Sequence, residues 1–301
     1  HYLYNHPQQP EDKSGITMKD NFLEIKNVTC GYPGGFTLNS LNLTLQKGAF
    51  AGIIGRNGSG KTTLFKCITG DIKLNAGSVK LDGTSLSGLT LKERARRIAT
   101  VPQFVETGQI TIREHVLMGR VPWLRRFSFS YNKTDNETAE KFINLTGLTK
   151  LSDKPLTAIS GGELQLSAIA SALTQEPSLL LLDEPTAHLD IHYQAMIMDM
   201  LYSLNRAEKL TVLMIIHDLN LAGEYCDYLV MMKDGKICAD GTPEEVLSSR
   251  NIMDAFGADV LITPHPVTGR PVILRNPGNK PEQQTINDSM PGSVQLSYHG
   301  N

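Results

Sequence analysis

The feature that most limits the fold of this sequence is a glycine-rich segment between an apolar run and a helical pattern. Residues 55–62 read GRNGSGKT and fill every fixed position of the phosphate-loop pattern G-x-x-x-x-G-K-[ST]. The preceding run, FAGII, is apolar throughout, as expected for a strand buried on both faces. After the loop, Leu64, Cys67 and Ile68 share one helical face. Gly70 follows where a C-terminal glycine stop is expected. The order strand, loop, helix predicts a phosphate-binding α/β domain.

The residue types in this loop suit a nucleotide and a divalent cation. Glycines let consecutive backbone N–H groups turn towards phosphate oxygens, and the helix N-terminus adds its positive dipole end. Lys61 is expected to reach the β- and γ-phosphates, and Thr62 to ligate Mg²⁺. A glycine-rich turn that binds nothing is the alternative, which the strand and helix context disfavours. The predicted nucleotide-binding residues here are Gly55, Asn57, Gly58, Ser59, Gly60, Lys61, Thr62 and Thr63.

A second element is the acidic end of an apolar run. Residues 179–184 read LLLLDE, which predicts a buried strand that ends in two carboxylates. Asp183 would lie beside the phosphate loop and hold the Mg²⁺ shell. Glu184 would face the γ-phosphate, where it could orient and deprotonate an attacking water. Alone, such a strand end is more often just a strand leaving the core. Downstream of a complete phosphate loop it predicts ATP hydrolysis.

The third element, residues 159–163 with the sequence ISGGE, lies shortly before that strand. Ser160 and the amides of Gly161 and Gly162 would open a helix and could grip a phosphate, while the spacing to Glu163 also fits an ordinary capping box. Placed between the two other motifs, the segment resembles the LSGGE signature of ABC transporter ATPases. The resemblance implies that these residues contact ATP held by a second copy of the chain in a head-to-tail dimer.

Further positions match this family one by one. Tyr32 resembles the aromatic residue that stacks on adenine, although a strand-edge tyrosine is the alternative. Gln103 resembles the glutamine that contacts Mg²⁺ and water and links the site to the permease. Residues 187–190, ending in Asp190, resemble the loop that crosses the dimer interface. His217 ends an apolar run and resembles the switch histidine that contacts the γ-phosphate. The catalytic residues implied are Lys61, Gln103, Glu184 and His217, and the metal-binding residues are Thr62, Gln103 and Asp183.

The resemblance covers roughly residues 22–275 and implies the fold class. It is an α/β P-loop NTPase (RecA-like) core with an antiparallel β subdomain and an inserted α-helical subdomain. Strands that alternate with helices independently predict a parallel sheet with right-handed crossovers. The expected divisions are a disordered extension at 1–20, the ATPase domain at 21–248 with its helical subdomain at about 90–175, a C-terminal helix and hairpin at 249–276, and a disordered tail at 277–301.

One departure from the family lies in the signature helix. Leu166 and Ser171 stand where the family often carries arginines. Those arginines usually support the helical subdomain. We therefore expect altered packing or altered dimer electrostatics, with the nucleotide chemistry intact.

Composition excludes several classes of protein. A formal net charge of −2 gives no electrostatic footprint for nucleic acid. No apolar run approaches the ~20 residues that span a bilayer, which predicts a chain in the cytosol unless a partner holds it at a membrane. The four cysteines have no Cys-x-x-Cys spacing, so neither a zinc site nor a disulfide framework is indicated, and a reducing compartment fits best.

Three segments bear on the kind of transporter. Residues 117–120 (LMGR), 186–190 (TAHLD) and 265–271 (HPVTGRP) resemble ATPases of importers for iron chelates, haem and cobalamin. This branch implies two permease subunits, an indirect link to a substrate-binding protein, and a peripheral position at the cytoplasmic face of the membrane. Residues 104–130, with Trp123, Arg125 and Arg126, are expected where the permease docks. An equally weighted alternative places Trp123 in the core of the helical subdomain.

Other functions stay open at this point. Molybdate and other metal importers share parts of the pattern, and an exporter ATPase is disfavoured only by the LMGR and HPVTGRP segments. A soluble ABC ATPase of DNA repair or the ribosome would carry a coiled-coil insertion or two cassettes, and this chain shows one cassette and no heptad run. A regulator that binds ATP without turnover would not need Glu184 and His217.

Overall fold

The structure is a computed structural model that describes residues 21–32, 34–125 and 130–276. The two expected tails, 1–20 and 277–301, lie outside the described residues, and so does Arg126. Within the described ranges the strands form three sheets.

The first sheet is antiparallel and has the strand order β2-β1-β4-β5. Its inward residues, including Leu23, Ile25, Leu43 and Leu81, are buried in one apolar cluster with residues of the phosphate-loop helix. The alternation of apolar and polar residues in the sequence therefore corresponds to one buried and one exposed face. Its strands are β1 (Asn21–Gly31), β2 (Thr37–Gln46), β4 (Leu74–Leu81) and β5 (Thr84–Ser85).

The central sheet has six strands in the order β10-β9-β3-β8-β7-β6. All neighbouring pairs are parallel except β9 with β10, which confirms the predicted parallel sheet. Its inner strands are buried on both faces, as the unbroken apolar runs predict. Its strands are β3 (Phe50–Ile54), β6 (Ile98–Val101), β7 (Leu179–Asp183), β8 (Thr211–Ile215), β9 (Tyr228–Lys233) and β10 (Lys236–Gly241).

Helices cover both faces of the central sheet. The helices are α1 (Lys61–Thr69), α2 (Leu91–Ala95), α3 (Ile112–Met118), α4 (Lys133–Leu145), α5 (Gly161–Thr174), α6 (Ile191–Glu208), α7 (Leu219–Tyr225), α8 (Pro243–Val246) and α9 (Ser249–Phe256). Ser160 opens its helix with a capping box, as predicted, and Thr111 does the same for α3. Gly70 ends α1 in the left-handed conformation, also as predicted.

Helices α3, α4 and α5 follow β6 and precede β7 in the sequence, and they pack against one another. The strand β6 lies within the 90–175 stretch that reads as helical from the sequence. It is only four residues long and pairs with β7, so its sequence carries too little periodicity to separate it from the helices around it.

The two departures in the signature helix are both accommodated by contacts in this region. Leu166 is buried in the apolar cluster of the helices. The Ser171 hydroxyl donates to the backbone carbonyl of His115 at 3.0 Å. A Cβ on Gly119 would lie 2.1 Å from the carbonyl oxygen of Ser171, so α3 and α5 approach closely here. The local packing is therefore built without arginines at these positions.

Arg120, a buried arginine, contacts residues at the ends of α3, α4 and α5. Arg120 is 5% exposed, and its Nε lies 2.9 Å from Oδ1 of Asp135, which is 3% exposed. Its Nη1 lies 2.6 Å from Oε2 of Glu176 and donates to the Thr174 carbonyl at the end of α5. The guanidinium thus links the end of α3 to the start of α4 and the end of α5.

Trp123 lies at the partly exposed edge of the helical region, outside its apolar core. Two guanidinium groups lie close to its ring, with the Cζ of Arg96 at 4.8 Å and that of Arg120 at 5.2 Å from the ring centroid. Its indole N–H donates to the carbonyl of Gln175 at 2.9 Å. The residue is also 37% exposed, so one edge faces the surface.

A disulfide joins Cys30 on β1 to Cys67 on α1. The expectation that the cysteines form no disulfide was therefore wrong. The two residues are 37 positions apart in the sequence, and only the packing of β1 against the phosphate-loop helix brings them together. Cys226 and Cys238 are free thiols, and burial raises the pKa of Cys226.

The predicted C-terminal hairpin is confirmed. Strands β11 (Val260–Pro264) and β12 (Pro271–Arg275) pair antiparallel, from Val260 opposite Arg275 to Pro264 opposite Pro271. Among the described residues, none of the helices combines the length and the apolar character needed to cross a membrane.

Candidate active site

The phosphate loop connects the carboxyl end of β3 to the start of α1. Gly55, Gly58 and Gly60 have φ values of 152°, 81° and 104°, which side chains with a Cβ rarely adopt. A Cβ on Gly55 would also lie 2.3 Å from the Met232 carbonyl oxygen. The backbone conformation of the loop therefore requires glycine at these positions.

Lys61 lies inside the curve of this loop. It is 6% exposed, and its ammonium donates to the carbonyls of Gly55 at 2.8 Å and Arg56 at 3.1 Å. Burial lowers the pKa of Lys61, while the nearby carboxylates of Glu184 and Asp183 oppose that shift. A largely desolvated cation beside a helix N-terminus makes an anion-binding site.

Asp183, at the end of β7, lies across from Thr62 of the loop. Its Oδ2 accepts a hydrogen bond from the Thr62 hydroxyl at 3.4 Å. Its Oδ1 is buried and has no hydrogen-bond partner within the described chain. Burial, and next the charge of Glu184, raise the pKa of Asp183. An orphaned carboxylate oxygen beside a threonine hydroxyl is a donor set that suits a hard divalent cation such as Mg²⁺.

Glu184 is held between two side chains from neighbouring strands. Its Oε2 accepts from the Gln103 amide at 2.7 Å, and its Oε1 lies 2.5 Å from Nε2 of His217. The backbone of Glu184 has φ 52°, which turns the chain sharply as it leaves β7. The three residues follow β6, β7 and β8, which are adjacent in the sheet. Parallel strands bring their carboxyl ends to one edge, so residues far apart in sequence meet there.

These residues surround one open cavity of about 460 Å³. Its lining is Phe36, Asn57, Gly58, Gly60, Lys61, Thr62, Thr63, Gln103, Glu184 and His217. The structure thus brings together the phosphate loop and the predicted Gln103, Glu184 and His217.

Phe36 lines this cavity, although the sequence motifs did not predict it as a site residue. A Cβ on Gly60 would meet the Phe36 ring at 2.8 Å, so the ring lies against the phosphate loop. Tyr32, the predicted aromatic, is not in the cavity lining; it is 46% exposed, and its hydroxyl accepts from Lys66 at 3.2 Å. In the sequence, the position of Phe36 directly after Gly34 and Gly35, close to Tyr32, was the feature that could have indicated a second aromatic residue at the site.

Comparison with known proteins identifies the family. Residues 38–187 match the family model described as ABC transporter. The ferric enterobactin transport ATP-binding protein FepC of Escherichia coli (strain K12) is 36% identical over 253 residues, which span 84% of this chain and 93% of FepC. The chain belongs to the ABC transporter family.

Two further comparisons agree with this assignment. The petrobactin import ATP-binding protein FpuD of Bacillus anthracis is 35% identical over 256 residues, which span 84% of this chain and 92% of FpuD. The dimeric post-hydrolysis structure of the ATP-binding cassette MJ0796, bound to ADP and Pi, has a TM-score of 0.65 and 28% identity over 73% of this chain and 98% of that one. The ABC ATPase fold predicted from the sequence is confirmed, and the chain is an ATP-binding subunit with ATPase activity.

The signature segment of this ABC ATPase is not among the residues that line the phosphate cavity. Ser160 caps α5 together with Glu163, so the capping box and the signature motif are the same residues. Gly162 is in close contact with Tyr193, because a Cβ there would lie 2.6 Å from the ring. Tyr193 also donates its N–H to Asp190, which caps α6. Tyr193 therefore connects the signature segment to the Asp190 loop, because its ring contacts Gly162 and its N–H donates to Asp190. None of these residues lines the cavity of their own chain.

Proposed function

We propose that this chain is the ATP-hydrolysing subunit of an importer that carries an iron chelate, haem or cobalamin through membrane permease subunits. The observation that carries the hydrolytic part is Glu184, held between Gln103 and His217 at the edge of a phosphate-loop cavity. The import part is supported by the relatives FepC and FpuD, whose names state transport of ferric enterobactin and petrobactin.

Nucleotide binding rests on the loop and on one buried charge. The loop amides and the ammonium of Lys61 would hold the phosphates, after Lys61 exchanges its bonds to the Gly55 and Arg56 carbonyls for phosphate oxygens. Ser59 contributes a buried hydroxyl that has no partner within the described chain. Tyr32 remains our candidate for adenine stacking, and Phe36 would contact the nucleotide closer to the loop.

Mg²⁺ would be held by Thr62 and Asp183, with Gln103 near the same edge. When bound, the ion supplies positive charge that offsets the charge of the phosphates. The Oδ1 of Asp183, which has no hydrogen-bond partner among the described residues, would be one of the ligands.

Hydrolysis needs a base that is held in place. Glu184 would accept the proton of the attacking water, and the amide of Gln103 fixes one of its oxygens. His217 contacts the other oxygen and would respond to the γ-phosphate. Because both neighbours come from adjacent strand ends, the carboxylate is positioned before the nucleotide arrives.

A second copy of the chain would complete each site. Ser160, Gly161, Gly162 and Glu163 open a helix whose N-terminus does not line the cavity of its own chain, which suits a phosphate held by a partner. Cassettes of this family form dimers, as in the MJ0796 structure. We propose a head-to-tail dimer beneath two permease subunits at the cytoplasmic face of the membrane, with the substrate-binding protein linked indirectly.

Purification of the tagged chain from native membranes tests the import proposal. We expect a many-helix permease to co-purify, encoded with a protein that binds a metal chelate or a tetrapyrrole. The same purification with Trp123→Ala tests the expected docking surface. Less permease should be recovered if residues 104–125 contact it. Recovery of a molybdate-type or exporter-type permease would replace the import proposal with one of those alternatives and leave the ATPase assignment in place.

A further inference from the structure

The C-terminal hairpin, β11 with β12, packs against α7, the helix that begins two residues after His217. One contact is a pair of hydrogen bonds between the side chain of Asn220 and the backbone of β12. The amide oxygen of Asn220 accepts from the backbone N–H of Ile273 at 2.7 Å, and its amide nitrogen donates to the Ile273 carbonyl at 3.3 Å. Asn220 therefore pairs with β12 much as a neighbouring strand would.

The other end of α7 is held by the same hairpin. Arg270 donates from Nη1 to the carbonyls of Cys226 at 2.6 Å and Gly223 at 3.2 Å. These are orphan carbonyls of the last helical turn, where a cation also interacts favourably with the helix dipole. A Cβ on Gly223 would lie 2.9 Å from the carbonyl oxygen of Pro271, so helix and hairpin are in direct backbone contact.

The position of α7 bears directly on His217. Asp218 caps α7 by accepting from the N–H groups of Asn220 at 2.8 Å and Leu221 at 3.2 Å. On the other side, the N–H of Ile216 is bonded to the Ile53 carbonyl in the central sheet. His217 thus occupies the short link between a fixed strand and a helix that the hairpin holds at both ends.

The histidine itself is not enclosed. Its side chain is 42% exposed, whereas the Glu184 side chain that it contacts is 17% exposed. Where surrounding side chains do not confine a ring, its placement depends on the backbone that carries it. A small shift of α7 would therefore change the 2.5 Å contact between His217 and Glu184.

We infer that the C-terminal hairpin positions His217 for ATP hydrolysis, with Asn220 and Arg270 as the positioning residues. The inference rests on the proposed function, because it assumes that the pair His217 and Glu184 carries hydrolysis. It gives a role to the HPVTGRP segment, which forms the turn and the start of β12. The segment sets the geometry of the site without touching the nucleotide.

The test compares the steady-state kinetics of Asn220→Ala and Arg270→Met with those of the wild-type chain. We expect kcat to fall about tenfold in each variant, since misplacement by ~1 Å can cost ~10² in rate. The KM for ATP and the affinity for a fluorescent ATP analogue should stay unchanged, because neither residue lines the cavity. Arg270→Lys, which retains one donor group, should restore part of the kcat.

Matched controls separate positioning from a general loss of structure. Arg275→Met alters an exposed arginine of the same hairpin and should leave kcat at the wild-type value. In ¹⁵N-histidine spectra, the His217 signal, assigned by its absence in His217→Asn, should shift in Asn220→Ala and not in Arg275→Met. Asn220 is exposed, so its replacement leaves the folded core intact.

Two results would overturn the inference. One is a wild-type kcat in Asn220→Ala and Arg270→Met while Glu184→Gln is inactive, which leaves the proposed function standing. The other is a fall in kcat with a matching loss of ATP affinity, which would indicate a merely structural role. If Glu184→Gln and His217→Asn both hydrolyse ATP normally, the proposed function fails instead.

Discussion

Replacement of Glu184 by glutamine should reduce the kcat for ATP hydrolysis by ~10²–10⁴, the usual contribution of a positioned general base. Glutamine keeps the size of the side chain and an oxygen for the Gln103 amide, but it cannot accept the proton of the attacking water. ATP binding should persist, because the contacts of Lys61 and the loop do not involve Glu184. The variant therefore separates binding from turnover.

The measurement is phosphate release at saturating ATP together with equilibrium binding of a fluorescent ATP analogue. Glu224→Gln, which changes an exposed acid on α7, is the matched control and should hydrolyse ATP at the wild-type rate. Unchanged turnover in Glu184→Gln would remove this residue from the mechanism. Loss of ATP binding in the same variant would indicate damage to the phosphate loop.

Replacement of Arg120 by methionine should lower the free energy of unfolding by about 3–5 kcal/mol, as found when one partner of a buried ion pair is removed. The change leaves Asp135, which is 3% exposed, as a buried charge without its partner at 2.9 Å. It also removes the bond to the Thr174 carbonyl at the end of α5. The helical region should lose stability first.

Urea denaturation followed by circular dichroism checks this expectation. The double variant Arg120→Met with Asp135→Asn should recover part of the loss. The orphan charge is gone, while the amide oxygen at position 135 can still accept from the Asn132 backbone N–H in the capping box of α4. Lys133→Met is the control: its side chain is 89% exposed in an ion pair with Glu137, and such surface pairs contribute only ~0–1 kcal/mol. Equal effects of Arg120→Met and Lys133→Met would contradict the buried network.

The parts of the site that the sequence predicts are those encoded by local patterns. The glycines of residues 55–62, the acids after β7 and the capping box at Ser160 each combine a short motif with an element boundary. Apolar runs predict the strands that precede Glu184 and His217, and parallel strands bring their carboxyl ends to one edge. The strand β6, which brings Gln103 to the same edge, is known only from the structure. The contacts among the three side chains come from the structure alone.

The parts that the sequence does not predict depend on contacts between distant segments. Cys30 and Cys67 have no spacing signature, and they become neighbours only when β1 packs on α1. Phe36 enters the cavity because the turn before β2 brings its ring against Gly60. Asn220 pairs with Ile273 across 53 residues, which no local pattern encodes. Such contacts are set by the tertiary arrangement, for which a single sequence gives no direct signal.

The measurement that tests most directly whether two chains form each ATP site is complementation between two inactive variants. Glu184→Gln lacks the base but keeps the signature segment, whereas Ser160→Arg blocks that segment but keeps the base. In a mixed head-to-tail dimer, one site would receive both defects and the other neither. We therefore predict that mixing the two variants restores ATP hydrolysis well above the rate of either alone. A mixture that hydrolyses ATP only at the average of the two separate rates would contradict the shared site.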